Sequence, residues 1–564
     1  MGSDSTVKLV LCWHMHQPDY RDHLRDEFRL PWTYLHGIRD YVDMAAHLES
    51  VPGAKAVVNF SPILIEQLQI YEQQIGGYLK HGRPVRDPLL AVLDNPVFPV
   101  DPSQRINIVK ACLRSHQKNQ IERFYPYAKL AEIARLVILE LEHSSYISDQ
   151  FLADLVTWYH LAWLGETVRR NDSRVKKLIE QGVEFTLHQR RMLLEIMHEL
   201  ITGLRSRYSR LAETGQIELS MSPYTHPMIP LLQDFRSARE AVQDIALPAL
   251  DAYPGGRERS LWHLTHGIDV FKNYFGRKPD GCWPAEGGVS LATAQLMEQT
   301  GFRWIATGEK VLRNSIQASF GNDHAASIYR GYTLPGLKLR LFARDDTLSD
   351  LIGFTYAGWH ADDAAGDLVR RIENIANSCA DPANTVISII MDGENAWEYY
   401  PENAYYFLSA LYRRLVAHPR LRLSTYQEIQ HHNSGQLARL VAGSWVFGTF
   451  STWVGDIDKN RAWNILCDVK RVYDELIDKI EPADRIRAER QLAACEGSDW
   501  FWWFGAYNPA KTVSDFEQLF RTHVRNLYHI LGLEPPHSLS QALSEGSGLP
   551  EMGGVIRPGG NYSI

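Results

Sequence analysis

The sequence contains little cysteine: its 564 residues include six, at positions 12, 112, 282, 379, 467 and 495. None of them forms a CxxC pair or shows the spacing of zinc ligands, which argues against a disulfide framework and a structural metal site. We therefore expect reduced core thiols. The sequence predicts no cofactor.

Long apolar stretches are also missing. No run approaches the ~18 residues that a membrane-spanning helix needs. The first residues, MGSDSTVKLVLCWH, lack the basic start, the apolar segment and the small-residue cleavage site of a signal peptide. We expect a cytoplasmic protein with no membrane partner.

An excess of basic charge is the third absence. The chain has 59 Lys and Arg against 67 Asp and Glu, a formal net charge of -8. Nucleic acids and anionic membranes favour basic surfaces, so neither is expected as a partner. Aromatic residues are abundant, with 15 Trp, 26 Tyr and 20 Phe. Because sugar rings stack on flat apolar faces, a neutral saccharide is a better candidate ligand.

Short apolar runs alternate with segments of helical periodicity, such as Tyr34 to Leu48, Leu291 to Thr300 and Leu368 to Cys379. This alternation is typical of an α/β protein with a parallel sheet or barrel, and seven candidate strands favour the barrel. The predicted strands are Val7 to Trp13, Ala56 to Phe60, Ile217 to Ser220, Gly281 to Pro284, Arg303 to Thr307, Leu337 to Phe342 and Thr385 to Met391.

Two regions depart from this alternation. Residues 81–214 hold long amphipathic stretches and no clear strand, which predicts a helical insertion between barrel parts 1–80 and 215–430. Residues 431–545 are again predicted to be helical and to form a C-terminal subdomain. Residues 546–564 are rich in Gly, Pro and Ser and are predicted to form a flexible tail.

Two acids follow predicted strands directly. In TVISIIMDGENAWEYY, Asp392 comes at the end of a β-branched run, and in CWPAEGG, Glu286 precedes two glycines. In α/β barrels the carboxyl ends of the strands meet at one mouth, which would bring these acids together. Two carboxyls across a cleft are the minimum for glycoside hydrolysis. The alternative is that each acid caps a helix or pairs with an arginine.

The first strand ends in WHMHQP, where His14 and His16 share one face because the strand period is two. Such a pair can bind a metal ion, with His226 as third ligand and Asp350 or Asp392 as carboxylate. It can also bind a polar ligand through hydrogen bonds, or be buried for structural reasons. We favour the polar ligand.

Other candidates for ligand contact are less specific. In EGSDWFWWFG, Asp499 and Trp500 belong to an aromatic segment that resembles neither an amphipathic helix nor an alternating strand, which suggests a platform beside a cleft. Lys459 and Arg461 are possible donors, or solvated residues at a helix start. The remaining aromatic candidates, each of which could equally belong to the core, are Trp283, Trp397 and Trp453.

Five motifs in order, WHMHQP, GQIELSMSPYTHPMIPLL, CWPAEGGVS, MDGENAW and EGSDWFWW, resemble the five sequence regions of glycoside hydrolase family 57. The likeness is greatest to its α-amylase and amylopullulanase branch, which also shows stretches similar to TWVGDIDKNRAW and to LSDLIGF, where Asp350 lies. The resemblance covers residues 8 to about 530. It implies a (β/α)7 barrel followed by helices, and a retaining mechanism on α-glucans or maltooligosaccharides.

Carried over by position, the resemblance implies that Glu286 is the nucleophile and Asp392 the general acid/base, with no catalytic metal. We expect Asp392 to be protonated at rest, with a pKa raised by burial and by Glu286, and the two carboxyl groups to lie about 5 to 5.5 Å apart. The residues expected to bind substrate are His14, His16, Glu218, His226, Trp283, Asp350, Trp397, Trp453, Lys459, Asp499 and Trp500.

Several functions stay open at this point. Hydrolysis, 4-α-glucanotransfer and 1,4-α-glucan branching would use the same two acids and differ in whether water or a sugar accepts the glucosyl group. A metal-dependent hydrolase or deacetylase would use the HxH pair instead. A carbohydrate-binding protein with an inactive site is disfavoured because both acids are present.

Overall fold

The computed structural model describes residues 6–139, 143, 146–321 and 327–547. All seven predicted strands are present, and their ends differ by at most a few residues from the prediction. We number them in chain order: β1 Val7–Met15, β2 Ala56–Phe60, β3 Ile217–Met221, β4 Gly281–Cys282, β5 Trp304–Thr307, β6 Arg340–Ala343 and β7 Val386–Asp392.

These strands form one parallel sheet in the order β7-β1-β2-β3-β4-β5-β6. The sheet curls until its two edges approach each other. The Asp345 amide, just after β6, donates to the Ser388 carbonyl of β7 at 2.8 Å, and the Ile390 amide donates to Ser349 Oγ at 3.3 Å. The two edge strands, β6 and β7, are thus connected by isolated hydrogen bonds and not by the regular ladder of a fully closed barrel. The predicted (β/α)7 barrel is confirmed.

Five further strands are very short. Arg21–Asp22 and Glu27–Phe28 pair with each other, and Leu421–Leu423 runs parallel to β1. Tyr332–Thr333 extends the sheet beyond β6, and Gly435–Gln436 pairs with it. The segment after residue 430, predicted as helical, therefore begins by adding a strand to the sheet.

The helices of the first half include several between residues 81 and 214, a stretch without a strand among its described residues. The domain limits at 80, 214 and 430 remain predictions. The α-helices up to residue 213 are Trp32–Ile38, Asp40–Ser50, Pro62–His81, Pro88–Leu93, Pro102–Cys112, Tyr125–Leu139, Asp149–Trp163, Glu166–Asn171, Ser173–Gln181 and Leu187–Glu213.

The helices of the second half cover the barrel and then form the C-terminal part. The predicted tail, 546–564, lies outside the described residues except for its first two. None of the described helices has the length and apolarity required to cross a membrane. These α-helices are Ile229–Gln233, Gly256–Phe275, Leu291–Gln299, Glu309–Phe320, Asp346–Asp350, Ala361–Ser378, Tyr405–Val416, Tyr426–Ile429, Ile457–Leu476, Pro482–Cys495, Asp499–Trp503 and Ala510–Ile530.

Burial explains the composition of the strands. Every residue of β1 and the first six residues of β7 are buried, as expected for parallel strands covered on both faces. At the carboxyl ends the apolar residues give way to polar ones, and His14 of β1 lies beside Asp392 of β7 in register. Gly393 follows, and a Cβ there would come within 2.3 Å of Met15 Sδ, so the close approach of the two strand ends requires glycine.

Candidate active site

A cavity of about 470 Å³ lies at the carboxyl ends of the barrel strands. Its volume falls within the range of about 300–1,000 Å³ that is common for ligand sites. Of the predicted site residues, it brings together His14, His16, Glu286, Asp392 and Asp499. Its wall also includes Gln17, Tyr20, Trp32, His36, Arg114, Trp163, Glu394, Asn395, Glu398, Tyr399, Trp445, Trp502, Trp503, Lys511, Asp515 and Phe516.

Asp392 ends β7 and is partly buried. Burial is the largest cause of its raised pKa, and the Asp499 carboxylate raises it further. The hydrogen bond from Asn395 Nδ2, 3.2 Å from Asp392 Oδ2, and the charges of His16 and Arg344 act in the opposite direction. The expected direction of the shift and its main cause are confirmed. Asp499 is a contributing acid that was not expected from the sequence.

Glu286 lies on a short 3₁₀ turn after β4 with a left-handed backbone, φ 57°. This conformation is strained for a residue with a side chain, and such strain often accompanies function. The indole Nε1 of Trp445 donates to Glu286 Oε2 at 2.9 Å, and the Trp445 amide donates to the Glu286 carbonyl at 3.1 Å. Trp445 therefore fixes both the side chain and the backbone of this acid.

Three histidine rings stack beside the two acids. The ring centroids of His16 and His226 are 4.0 Å apart, and those of His14 and His226 are 4.9 Å apart. His14 Nδ1 lies 2.7 Å from Asn59 Oδ1, and His16 Nε2 lies 2.9 Å from Asp499 Oδ1. His226 Nδ1 approaches Glu286 Oε1 to 3.8 Å. The stack thus connects β1, the segment after β3 and the segment around Asp499.

Two rings of the stack, His14 and His226, have surroundings that favour the neutral imidazole. Burial lowers the pKa of His14 to about 3 and that of His226 well below its usual value, and the neighbouring imidazoles lower both further. The Nε2 atoms of both rings are buried and have no hydrogen-bond partner among the described residues. Neutral imidazole nitrogens of this kind can bind the hydroxyl groups of an uncharged ligand.

Three of the predicted site residues are close enough together to bind one metal ion. The side-chain ligand atoms of His16, His226 and Asp499 lie within 4.8 Å of one another. Asp350, which the metal hypothesis included as a carboxylate, instead pairs with Arg344 Nη2 at 2.6 Å and is buried away from the cavity wall. His16 Nε2 is hydrogen-bonded to Asp499 in this arrangement.

Glu218 does not reach the cavity, although it was predicted to bind substrate. It is the second residue of β3, near the amino end of the strand, whereas the site lies at the carboxyl ends. Its carboxylate accepts from Trp304 Nε1 at 2.6 Å and from the Gln427 amide at 2.8 Å. Burial raises the pKa of Glu218 to about 7.

Four other predicted contacts are buried among protein partners and do not line the cavity. Trp397 packs on Trp13, with ring centroids 5.7 Å apart, and Trp500 Nε1 donates to the Ala494 carbonyl at 3.0 Å. Trp453 packs against Trp502, and Lys459 Nζ donates to the Thr452 carbonyl and to Tyr507. Trp283 borders a narrow cavity of about 20 Å³ together with Glu286 and Asp392.

Some residues of the cavity were not singled out from the sequence. Glu394 stands two positions after Asp392, so the acidic stretch itself was a signal. Arg344 and Trp445 carry no local signal, because their roles depend on segments distant in sequence. Arg344 lies with its guanidinium 4.8 Å from the Trp445 ring and joins this group only through the fold.

A curled (β/α)7 barrel with two acids at the carboxyl ends of its strands, one strained and one with a raised pKa, is an arrangement that barrel glycosidases use. The sequence profile of Glycosyl hydrolase family 57 matches residues 10–439. The chain belongs to this family, whose members are enzymes that act on glycosidic bonds.

Solved structures with the same fold are distant in sequence. The GH57-type branching enzyme of Pyrococcus horikoshii has a TM-score of 0.56 and 16% identity, with 94% of this chain and 93% of that chain covered. The α-amylase AmyC of Thermotoga maritima has a TM-score of 0.56 and 14% identity, with 93% of both chains covered. The 4-α-glucanotransferase of Thermococcus litoralis has a TM-score of 0.51 and 12% identity, with 94% of this chain and 60% of that chain covered. A comparison with curated protein sequences gives no match.

Proposed function

We propose that the protein is a retaining glycoside hydrolase or glucan transferase that acts on α-1,4-glucans or maltooligosaccharides. The observation that carries the proposal is that Glu286 and Asp392 line the same cavity of about 470 Å³ and also the narrow cavity beside Trp283. The surroundings of the two carboxyl groups differ. Membership of family 57 supports it. The activities of the structural neighbours, a branching enzyme, an α-amylase and a 4-α-glucanotransferase, support α-glucan as the substrate class.

The environments assign the roles. The indole N–H of Trp445 stabilises a negative charge on Glu286, which suits a nucleophile. Burial keeps Asp392 protonated to higher pH, which suits a general acid. Asp392 gives its proton to the glycosidic oxygen as Glu286 attacks the anomeric carbon, so the bond to the leaving sugar breaks and a glycosyl ester forms.

The second step reverses the first. Asp392, now a carboxylate, takes a proton from water or from a sugar hydroxyl, whose oxygen attacks the anomeric carbon and displaces Glu286. Two inversions leave the configuration unchanged. The neutral His14, which lines the cavity and whose Nε2 lacks a protein partner in the described part of the chain, binds a hydroxyl group of the glucosyl unit, and His226 supports it from behind in the ring stack.

The acceptor decides between hydrolysis, transfer and branching. A product profile on maltoheptaose and amylose separates them, because shorter sugars alone indicate hydrolysis, longer ones indicate transfer, and new α-1,6 bonds indicate branching. The proposal predicts one of these outcomes for the wild type and none for Glu286→Gln or Asp392→Asn. Absence of any product from α-glucans, or an unchanged product yield from Glu286→Gln, contradicts it.

A second candidate is a metal-dependent hydrolase, favoured by the proximity of His16, His226 and Asp499. Metal analysis of the purified protein and activity in the presence of a chelator test it. The glycosidase proposal expects no stoichiometric metal and undiminished activity, whereas loss of activity that is restored by a divalent ion favours the second candidate.

A further inference from the structure

A second polar group lies on the cavity wall, in the segment between β1 and β2. His36, near the end of helix Trp32–Ile38, lines the cavity. Its Nδ1 lies 2.7 Å from Oδ2 of Asp40, which is fully buried. Arg39 Nε donates to both oxygens of Asp40 at 3.0 Å. The three residues form a buried Arg–Asp–His array with only the imidazole at the cavity.

This array fixes which nitrogen of His36 carries the proton. Asp40 pairs with the Arg39 guanidinium, so its carboxylate acts only as an acceptor. His36 Nδ1 must then donate, and in the neutral ring Nε2 is left with a lone pair. No described residue forms a hydrogen bond with this Nε2. In that tautomer His36 offers a hydrogen-bond acceptor at Nε2, and the bond to Asp40 holds the ring in place.

Aromatic rings surround this acceptor. The ring centroids of His36 and Trp163 are 5.6 Å apart at an angle of 89°, and the Arg39 guanidinium lies 4.1 Å from the Trp163 ring. Trp32, which is only partly buried, lies 5.9 Å from Trp163 and also lines the cavity. Apolar rings beside a single oriented polar atom are the usual composition of a site for a neutral ligand.

We propose that His36, Trp32 and Trp163 form a glucosyl-binding subsite, in which His36 Nε2 accepts a hydrogen bond from a sugar hydroxyl. The inference rests on the proposed function, since it concerns the same substrate in the same cavity. Asp40 and Arg39 are positioning residues that act through His36. A hydroxyl donor is required, because a ligand that offers only acceptors would oppose the lone pair.

The competing explanation is that His36 serves only as a partner for buried Asp40. Two amides separate the explanations, because asparagine places its nitrogen near the position of Nδ1, whereas glutamine places a polar atom near Nε2. His36→Asn keeps the bond to Asp40 and loses the acceptor in the cavity. His36→Gln keeps an acceptor there and weakens the bond to Asp40.

The experiment measures binding of maltoheptaose by calorimetry to the full chain carrying Asp392→Asn, which slows turnover, with product analysis of the calorimeter cell contents to verify that the sugar stays intact. Adding His36→Asn is expected to raise Kd about 5-fold, the range of one hydrogen bond, with a melting temperature close to that of the parent. Adding His36→Gln is expected to change Kd less and to lower the melting temperature more. His188→Asn, at an exposed histidine outside the cavity, is the matched control and leaves both unchanged.

The outcomes are distinct. If His36→Asn binds maltoheptaose as the parent does, His36 is only a structural partner and the subsite is refuted. If the Asp392→Asn parent binds no maltoheptaose, the proposed function fails and the subsite fails with it. Should His36→Asn not fold, ¹⁵N spectra of histidine-labelled parent protein decide: Nε2 of His36 shifts on addition of maltoheptaose if the subsite exists, and its invariance overturns the proposal.

Discussion

Glu394, two residues after Asp392, is a buried acid whose surroundings favour its protonated form. Its Oε1 accepts from the His16 amide at 3.1 Å and from Gln17 Nε2 at 3.2 Å, and its Oε2 has no partner among the described residues. Burial raises the pKa of Glu394 well above its usual value, and the neighbouring Asp392 raises it further. The protonated form of Glu394 is therefore favoured to higher pH than that of an exposed glutamate.

The environment of Glu394 makes a prediction for two amide substitutions. Glu394→Gln preserves the accepting oxygen and a neutral donor, so kcat on maltoheptaose at pH 7 should stay within about 3-fold of the wild type. Asp392→Asn removes a proton that must be transferred and should lower kcat by about 10³-fold. Equal losses in the two variants would show that Glu394 takes part in proton transfer.

Trp445 supplies the second prediction at this scale. Trp445→Phe keeps the ring that packs on Arg344 and Trp502 but removes the N–H that donates to Glu286. Loss of a hydrogen bond to a charged nucleophile should lower kcat by about 10- to 100-fold, with little change in melting temperature. Trp359→Phe, at a half-exposed indole outside the cavity, is the control. Wild-type kcat in Trp445→Phe would contradict the assigned role.

At the scale of elements, the sequence predicts the seven barrel strands but not the two- and three-residue strands that pair beside them. The β-branched run of β7 is buried on both faces, and its composition alone indicates a strand. β4 spans only Gly281–Cys282, and its predicted end at Pro284 fails because proline has no N–H for the ladder. Gly435–Gln436 has too few residues for any pattern, and it is a strand only because Tyr332–Thr333 is beside it.

One buried acid, Glu496, connects the C-terminal helices to helix Gly256–Phe275 of the barrel. Glu496, at the end of helix Pro482–Cys495, accepts from Arg259, His263 and Tyr253 at 2.7 to 2.9 Å at the closest. These donors lower the pKa of Glu496 to about 2, with Arg259 the largest favourable contributor. The ionised pair therefore contributes stability above the unfolded pKa, near 4.5, and loses it as pH falls toward 2.

Glu496→Gln should consequently lower the free energy of unfolding at pH 7 by about 3 kcal/mol, because it removes the only carboxylate within 3 Å of the buried Arg259 charge among the described residues. The difference from the wild type should shrink at pH 3, where the wild type begins to lose the same interaction. Urea unfolding at both pH values measures this. Glu489→Gln, 3.9 Å from Arg259 and 40% exposed, should cost less than about 1 kcal/mol. A constant difference between pH 7 and pH 3 would contradict the linkage.

At the scale of the whole molecule, the cavity is assembled from three distant parts of the chain. The barrel contributes the two acids, residues 81–214 contribute Arg114 and Trp163, and the C-terminal helices contribute Asp499 and Asp515. Arg114 Nη2 pairs with Asp515 Oδ2 at 2.6 Å, which links the last two parts along the cavity wall. The shape of the site thus depends on all three parts.

This assembly explains which site residues the sequence could predict. Glu286, Asp392, His14 and His16 follow predicted strands, and the barrel itself places them. Lys459 begins a helix and resembles a solvated residue, but packing against the Thr452 carbonyl buries it. The subsite residues of helix Trp32–Ile38 carry no local signal, because their exposure to the cavity depends on how the insertion and the C-terminal helices close around them.

The central claim is that Glu286 becomes covalently bonded to the anomeric carbon during each turnover. Incubation with a 5-fluoro-α-glucosyl fluoride, followed by protease digestion and mass spectrometry, tests it most directly. The account predicts one 5-fluoroglucosyl adduct, on the peptide containing Glu286 and on that side chain, and none in Glu286→Gln. An adduct on another residue, or rapid release of the β-anomer of 5-fluoroglucose without an adduct, would contradict it.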